Sequence, residues 1–158
     1  MIIRKLALEL SESDINNSLS AALEKMSQAN PAQADMMKKV KNPHVELKDG
    51  KLIFKCKASM GILPVPVEAQ IRLAPADSGA ALTITLAKVS LAMMGGEAIA
   101  SQLMGQLATA VAGRPGFSVS GNTLTITLPT LAELRGIRLE GTLNDIAIVN
   151  GTIAVDFS

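Results

Sequence analysis

The sequence predicts an α+β fold in which a strongly curved antiparallel sheet wraps around two amphipathic helices. Two segments carry this prediction. Residues 45–56 alternate apolar and polar side chains around Asp49-Gly50, and residues 117–128 repeat the pattern 72 positions later. Each segment is typical of a β-hairpin. A stretch with helical periodicity precedes each hairpin.

The spacing of the two hairpins suggests an internal pseudo-repeat of helix, hairpin and further strand. A chain of 158 residues is most simply one domain. We therefore expect a single domain over residues 1–158, with halves of about 1–88 and 89–158. Alternating strands always align with one another in register, so chance similarity remains the alternative to a real duplication.

The first half is expected to open with a strand over residues 2–10 and then a helix. Ser11-Glu12-Ser13-Asp14 offers a capping serine, and its acids suit the positive end of the helix dipole. One apolar stripe follows, whereas Asn16 is expected to face solvent. The stripe consists of Ile15, Leu19, Ala22, Leu23 and Met26. Asn30-Pro31 breaks or restarts the helix, and a second short turn is expected near residues 36–40.

Four strands are expected next, at residues 44–47, 52–58, 65–73 and 82–86. Asp49-Gly50 joins the first pair of strands. Pro66 lacks a backbone N–H, which favours a sheet edge or a bend.

The second half is expected to contain a helix over residues 95–112 that ends at Gly113. Gly105, inside this helix, costs about 1 kcal/mol relative to alanine. We expect close packing against a sheet to explain it. A hairpin at 117–128 and strands at 137–143, 146–149 and 152–157 complete the expected fold, with Asn150-Gly151 as the last turn.

The composition argues for binding or structure and against catalysis. Apolar residues make up 48% of the chain, aromatic residues only 2%, and there are eight methionines. Such an interior is adaptable. Scarce aromatic rings and a net charge of +1 argue against nucleic acid as a partner.

Few side chains could carry chemistry. His44 is the only histidine and Cys56 the only cysteine, so neither a zinc site nor a disulfide framework is expected. Cys56 falls at an inward-facing strand position, where a small buried hydrophobe is expected. No phosphate-binding loop, nucleophile elbow or acidic cluster is present in the sequence. We expect no enzyme activity, no catalytic residue, no metal and no cofactor.

Lysines are concentrated between residues 38 and 57, a segment that contains seven lysines and only two acidic residues. Two interpretations are open for this segment. The first is a solvated strand face and loop. The second is a patch that contacts lipid headgroups or another anion. The patch would consist of Lys48, Lys51, Lys55 and Lys57.

The N-terminal sequence does not have the pattern of a signal peptide, and no apolar stretch is long enough to span a bilayer. We therefore expect a cytoplasmic protein, or an envelope-associated one if an N-terminal anchor has been removed.

Several short motifs, in this order, resemble bacterial domains of unknown function of the YpmS-like and LmeA-like kind. The motifs are Leu10-Ser11-Glu12-Ser13-Asp14-Ile15-Asn16, residues 61–68, residues 82–91, Phe117-Ser118-Val119, Asn144-Asp145-Ile146 and Asn150-Gly151-Thr152-Ile153. These families are similar to the tubular (TULIP-like) lipid-binding proteins, in which a curved sheet wraps a long helix and holds lipid. The resemblance implies lipid binding and no catalytic residues.

The leading hypothesis is that the protein binds an apolar ligand, a lipid or acyl chain, in a hydrophobic pocket between helices and sheet. The residues expected to line it are Leu23, Met26, Phe54, Met60, Leu103, Met104 and Leu107. The alternative is a structural or protein-interaction module with a fully packed core. Contact with a membrane surface and a homodimer formed through a sheet edge are further expectations.

Overall fold

The computed structural model describes residues 1–29, 38–60, 63–77, 79–91, 94–95 and 97–158. In these residues the protein is mostly β-strand with few helices. The helices are α1 (Glu12–Ala29), α2 (Glu97–Val111) and α3 (Leu128–Glu133). The strands are β1 (Ile2–Ile3), β2 (Leu6–Ser11), β3 (Val40–Lys48), β4 (Lys51–Met60), β5 (Leu63–Pro75), β6 (Ala81–Leu91), β7 (Met94–Gly95), β8 (Phe117–Ser120), β9 (Thr123–Thr127), β10 (Arg138–Leu139), β11 (Leu143–Val149) and β12 (Thr152–Phe157).

The main sheet has seven antiparallel strands in the described part of the chain. Its order is β3-β4-β5-β6-β9-β8, and β7 pairs with β6. Asp49 and Gly50 have φ angles of 54° and 72°, as the two central residues of a type I′ hairpin turn require. Both predicted hairpins of the sheet, β3–β4 and β8–β9, are confirmed.

A second sheet, in the order β11-β12-β2, packs against the main sheet at β5. Val45, Leu47 and Ile153 form one buried cluster between the sheets. Ala80, Leu143 and Phe157 form another, in which Phe157 is only 2% exposed. The core therefore lies where the smaller sheet covers the larger one.

Helix α1 begins as its sequence predicts. The carboxylate of Asp14 accepts hydrogen bonds from the Ser11 backbone N–H (2.9 Å) and from the Ser11 hydroxyl (2.7 Å). The Ser11 Oγ in turn accepts from the Asp14 N–H at 3.1 Å. This reciprocal arrangement is a capping box. The bonds from Ser11 hold the pKa of Asp14 below its ordinary value.

Side chains of α1 also cover the free edge of β3. Asn16 accepts a hydrogen bond from the Val45 N–H (2.7 Å) and donates one to the Val45 carbonyl (2.9 Å). Glu12 accepts from the Leu47 N–H at 2.9 Å. These bonds take the place of a further strand, which protects an edge that would otherwise pair with another chain. The expectation that Asn16 faces solvent is therefore wrong.

Three other expectations need correction. The continuous strand expected over residues 137–143 is wrong, because Arg138 and Leu139 pair with Ile2 and Ile3, whereas Leu143 begins β11 and pairs with Phe157. Leu128, expected to end the hairpin at 117–128, instead begins α3, whose first turn contains a proline. Gly105 is exposed, and a Cβ added there would have no atom within 4 Å, so close packing does not explain it.

The predicted fold class is confirmed in its coarser part, as a mixture of antiparallel sheets and a few helices. The strands of the described residues divide among three sheets and the main sheet is not strongly curled, so one strongly curved sheet around both helices is not what forms. The smaller sheet occupies part of the face that the helices were expected to fill. The pseudo-repeat beyond its two hairpins stays a prediction. The short helical turn expected near residues 36–40 lies mostly outside the described residues.

Candidate functional site

The two faces of the main sheet differ in chemistry. Cross-strand pairs on the outer face are polar, such as Lys55 with Glu68 and Thr83 with Thr125. Pairs on the inner face are apolar, such as Leu82 with Ile126. The alternation continues across β3, β4, β5, β6, β9 and β8, so one whole face of the sheet needs an apolar covering.

The inner face carries large side chains at one end. Leu52, Phe54 and Leu73 pack there against the Val45, Leu47 and Ile153 cluster. The smaller sheet and the first turns of α1 supply the other side of this contact. This end of the inner face is therefore the protein's core.

The opposite end of the inner face carries smaller side chains. Cys56 lies opposite Val67, and Ala58 lies opposite Val65. Val67 also pairs with Leu91 of β6. We call these five residues the small-residue strip; each is half-buried. Burial raises the pKa of the Cys56 thiol, as expected for an apolar environment.

The stretch of sheet that carries the strip has the length of a lipid tail, whereas Cys56 and Ala58 within it lie about 7 Å apart along β4. Ala69 and Val89, which face each other and are both buried, mark its inner end. From the Phe54–Ala69 pair to the Ser59–Pro64 pair is five residues, or about 17 Å at about 3.3 Å per residue. One leaflet of a bilayer has a hydrocarbon thickness of about 15 Å.

The position of Pro66 agrees with the expectation that this proline favours a sheet edge. The β5–β6 ladder runs from Val67 to Pro75, so Pro66 pairs with β4 but precedes the ladder with β6. A residue without an N–H is tolerated there because β5 has the character of an edge strand at this point.

The structure separates the residues expected to line the pocket. Leu23 is half-buried on α1, which packs at the β3 edge of the main sheet. Met104 is buried and Leu107 half-buried on α2, which packs against β6 and β8. Phe54 joins the core cluster at the inner end of the strip. The side chains of Met26, Met60 and Leu103 lie outside the described residues.

A cleft of about 440 Å³ opens where α2 lies beside β6. Leu86 and Val89 contribute apolar surface to it, and Lys88, Glu97 and Ser101 contribute polar groups. The cleft shares Val89 with the inner end of the strip. Sequence reasoning missed both the strip and the cleft; the signal for the strip was the change from Leu52 and Phe54 to Cys56 and Ala58 along β4.

The lysines of the expected headgroup patch do not share one environment. Lys48 and Lys51 lie opposite each other beside the hairpin turn, whereas Lys57 lies opposite Lys41 at the other end of the strands. Lys55, between them, forms an ion pair with Glu46 at 2.8 Å. This pairing lowers the pKa of Glu46 and raises the pKa of Lys55. Two separate cationic pairs therefore flank a neutralised centre.

In the described residues no group of three or more histidine, cysteine or acidic side chains is placed to hold a metal ion. No helix of the described part of the chain is both long and apolar enough to cross a bilayer.

A family model for LmeA-like phospholipid-binding proteins matches residues 5–143. The chain belongs to this family. The match to the LmeA-like family runs from the start of β2 to the first residue of β11, and it includes the whole main sheet, the strip and both long helices. The resemblance to LmeA-like domains expected from the sequence is thereby confirmed. No curated protein and no solved structure matches the chain.

Proposed function

We propose that this LmeA-like protein binds a phospholipid without catalysis, and that the small-residue strip is the floor of its acyl-chain groove. The observation that carries the proposal is the strip itself: a group of half-buried apolar side chains, on a stretch of sheet as long as a lipid tail, in a chain of a phospholipid-binding family. Each CH₂ group removed from water there contributes about 0.8 kcal/mol.

The parts of the groove follow from where the elements lie. Phe54 closes its inner end, because this ring already packs on the core cluster. Leu23 of α1 and Met104 and Leu107 of α2 form its walls. Met26, Met60 and Leu103 complete the proposed lining.

A single tryptophan tests the site. The chain has no tryptophan, so Val67→Trp both fills the strip and adds a unique fluorophore. We expect this variant to fold and to lose at least about tenfold in affinity for a fluorescent phospholipid, since the indole occupies the volume of the chain. The matched control is Ser118→Trp, on the exposed outer side of β8.

The reactivity of the single thiol, Cys56, provides a second test of the site that needs no substitution. Cys56 lies on the strip, so a bound acyl chain should slow its reaction with a thiol reagent. The unfolded protein in denaturant, with or without lipid, provides the control rate. Equal affinity of Val67→Trp and Ser118→Trp for the fluorescent phospholipid, together with an unchanged thiol rate, would reject the strip as the site.

A second candidate function rests on a different edge. β2 is the last strand of the smaller sheet, and its Leu6 and Leu8 are each 42% exposed. An edge strand with exposed leucines favours pairing with a second copy, as in an interaction module. Light scattering distinguishes this candidate, because a monomer at high concentration would exclude it.

A further inference from the structure

The end of the main sheet at which β4 meets β5 exposes apolar side chains to solvent. Leu63 is 72% exposed, and it lies opposite Met60, the last residue of β4. Val40, opposite Ala58, is 38% exposed. Both residues lie at the outer end of the small-residue strip, farthest from the core.

Exposed lysines lie beside this apolar end, on the outer face of the strands. Lys41 and Lys57 face each other across β3 and β4, and both are exposed. The Ser59 N–H donates to the Lys39 carbonyl at 2.7 Å, which extends the pairing and brings Lys39 alongside. We call Lys39, Val40, Lys41, Lys57 and Leu63 the hairpin tip.

Fold stability does not explain the charges of the hairpin tip. Like charges directly opposite each other destabilise a sheet. Among the described residues, none of the ion pairs to an aspartate or glutamate involves Lys39, Lys41 or Lys57. The nearest acids on the outer face, Glu46 and Glu68, lie beside Lys55. The hairpin tip thus has cationic lysine side chains set back from the exposed apolar side chain of Leu63.

We propose that the hairpin tip docks the protein on the surface of an anionic phospholipid bilayer. Leu63 extends three residues beyond Lys57, or about 10 Å along the strand. Peripheral apolar groups enter a bilayer by about 5–10 Å. When Leu63 reaches the acyl boundary, Lys41 and Lys57 therefore lie among the headgroup phosphates.

Docking in this orientation points the outer end of the strip at the membrane, so a lipid tail can pass between bilayer and groove without crossing water. The passage of a lipid tail into the groove rests on the proposed function, whereas the docking itself is measured independently of any bound lipid.

Vesicle co-sedimentation tests whether the lysines of the hairpin tip contribute to membrane binding. Each lysine near an anionic surface contributes about 1 kcal/mol, or about fivefold in partitioning. We expect the variant K41Q/K57Q to lose about 25-fold on vesicles of equal parts phosphatidylcholine and phosphatidylglycerol, and salt to weaken binding of the unsubstituted protein. The matched control is K48Q/K51Q, which removes the same charge from the other cross-strand lysine pair. The two pairs lie about 20 Å apart, beyond the screening length of about 8 Å.

A tryptophan at the point of the tip tests insertion. Leu63→Trp should shift its emission to the blue and be quenched by brominated lipid in the same vesicles. Leu134→Trp replaces another exposed leucine (62%), distant in sequence, and should show neither effect.

Equal losses in the two lysine variants, no binding of the unsubstituted protein, or no quenching of Leu63→Trp would each overturn the docking proposal. Lipid carried by the purified protein is assayed separately. Vesicle binding without carried lipid would preserve docking and reject the proposed function, and carried lipid without vesicle binding would do the reverse.

Discussion

Removal of the Asn16 side chain should loosen α1 from the sheet. Asn16→Ala deletes two partly buried hydrogen bonds to Val45, at 2.7 and 2.9 Å. Each such bond contributes about 1 kcal/mol, so the loss is about 2 kcal/mol. Alanine also raises helix propensity by up to about 0.7 kcal/mol, which partly offsets this loss. We therefore expect a net loss of about 1.5 kcal/mol.

The neighbouring Asn17 supplies the control, because it is exposed on the same helix. Asn17→Ala makes the same change in propensity without touching β3, and it should leave stability equal or slightly higher. Urea unfolding of both variants isolates the two bonds as a difference of about 2 kcal/mol. A difference below about 0.5 kcal/mol would refute the inference that Asn16 anchors α1. The uncovered β3 edge should also make Asn16→Ala more prone to self-association.

Two further predictions concern the helices. Gly105→Ala should raise the free energy of unfolding by about 1 kcal/mol, since the added methyl group has no atom within 4 Å; a loss of stability in urea would show that the glycine is needed. Ser11→Ala should cost about 1 kcal/mol at neutral pH by removal of the cap. Because the pKa of Asp14 is lowered in the folded protein, its contribution is present above the ordinary carboxyl pKa and declines as pH falls through the folded value. Ser11→Ala should therefore show a shallower loss of stability in acid, and an unchanged slope would contradict the role of the capping box.

Features with local signals could be predicted from the sequence. Asp49-Gly50 and Asn150-Gly151 adopt the positive φ angles that their turns require, and Ser11 caps the start of α1 as expected. Gly113, also at positive φ, follows the last residue of α2 closely. Turn and cap chemistry involves neighbours in sequence, so a pattern of a few residues determines it.

Features that depend on long-range contacts could not be predicted. Asn16 bonds to a strand 29 residues away, and its polar character alone indicated solvent. The separate second sheet joins β2 to β12 from opposite ends of the chain, which no local pattern specifies. The predicted pocket rests on a Met-rich, aromatic-poor composition, and the periodicity of α1 and α2 identifies a packed face without identifying its partner. The strip depends on the strand register, which places Cys56, Val67 and Leu91 side by side, and no local pattern specifies that register.

Native mass spectrometry of the protein as purified from cells, followed by organic extraction, is the most direct test of whether it binds a phospholipid in the strip. We expect a noncovalent species with the mass of a phospholipid, which Val67→Trp carries in reduced amount and Ser118→Trp carries in full. A protein that has only its own mass and takes up no added phospholipid would contradict it.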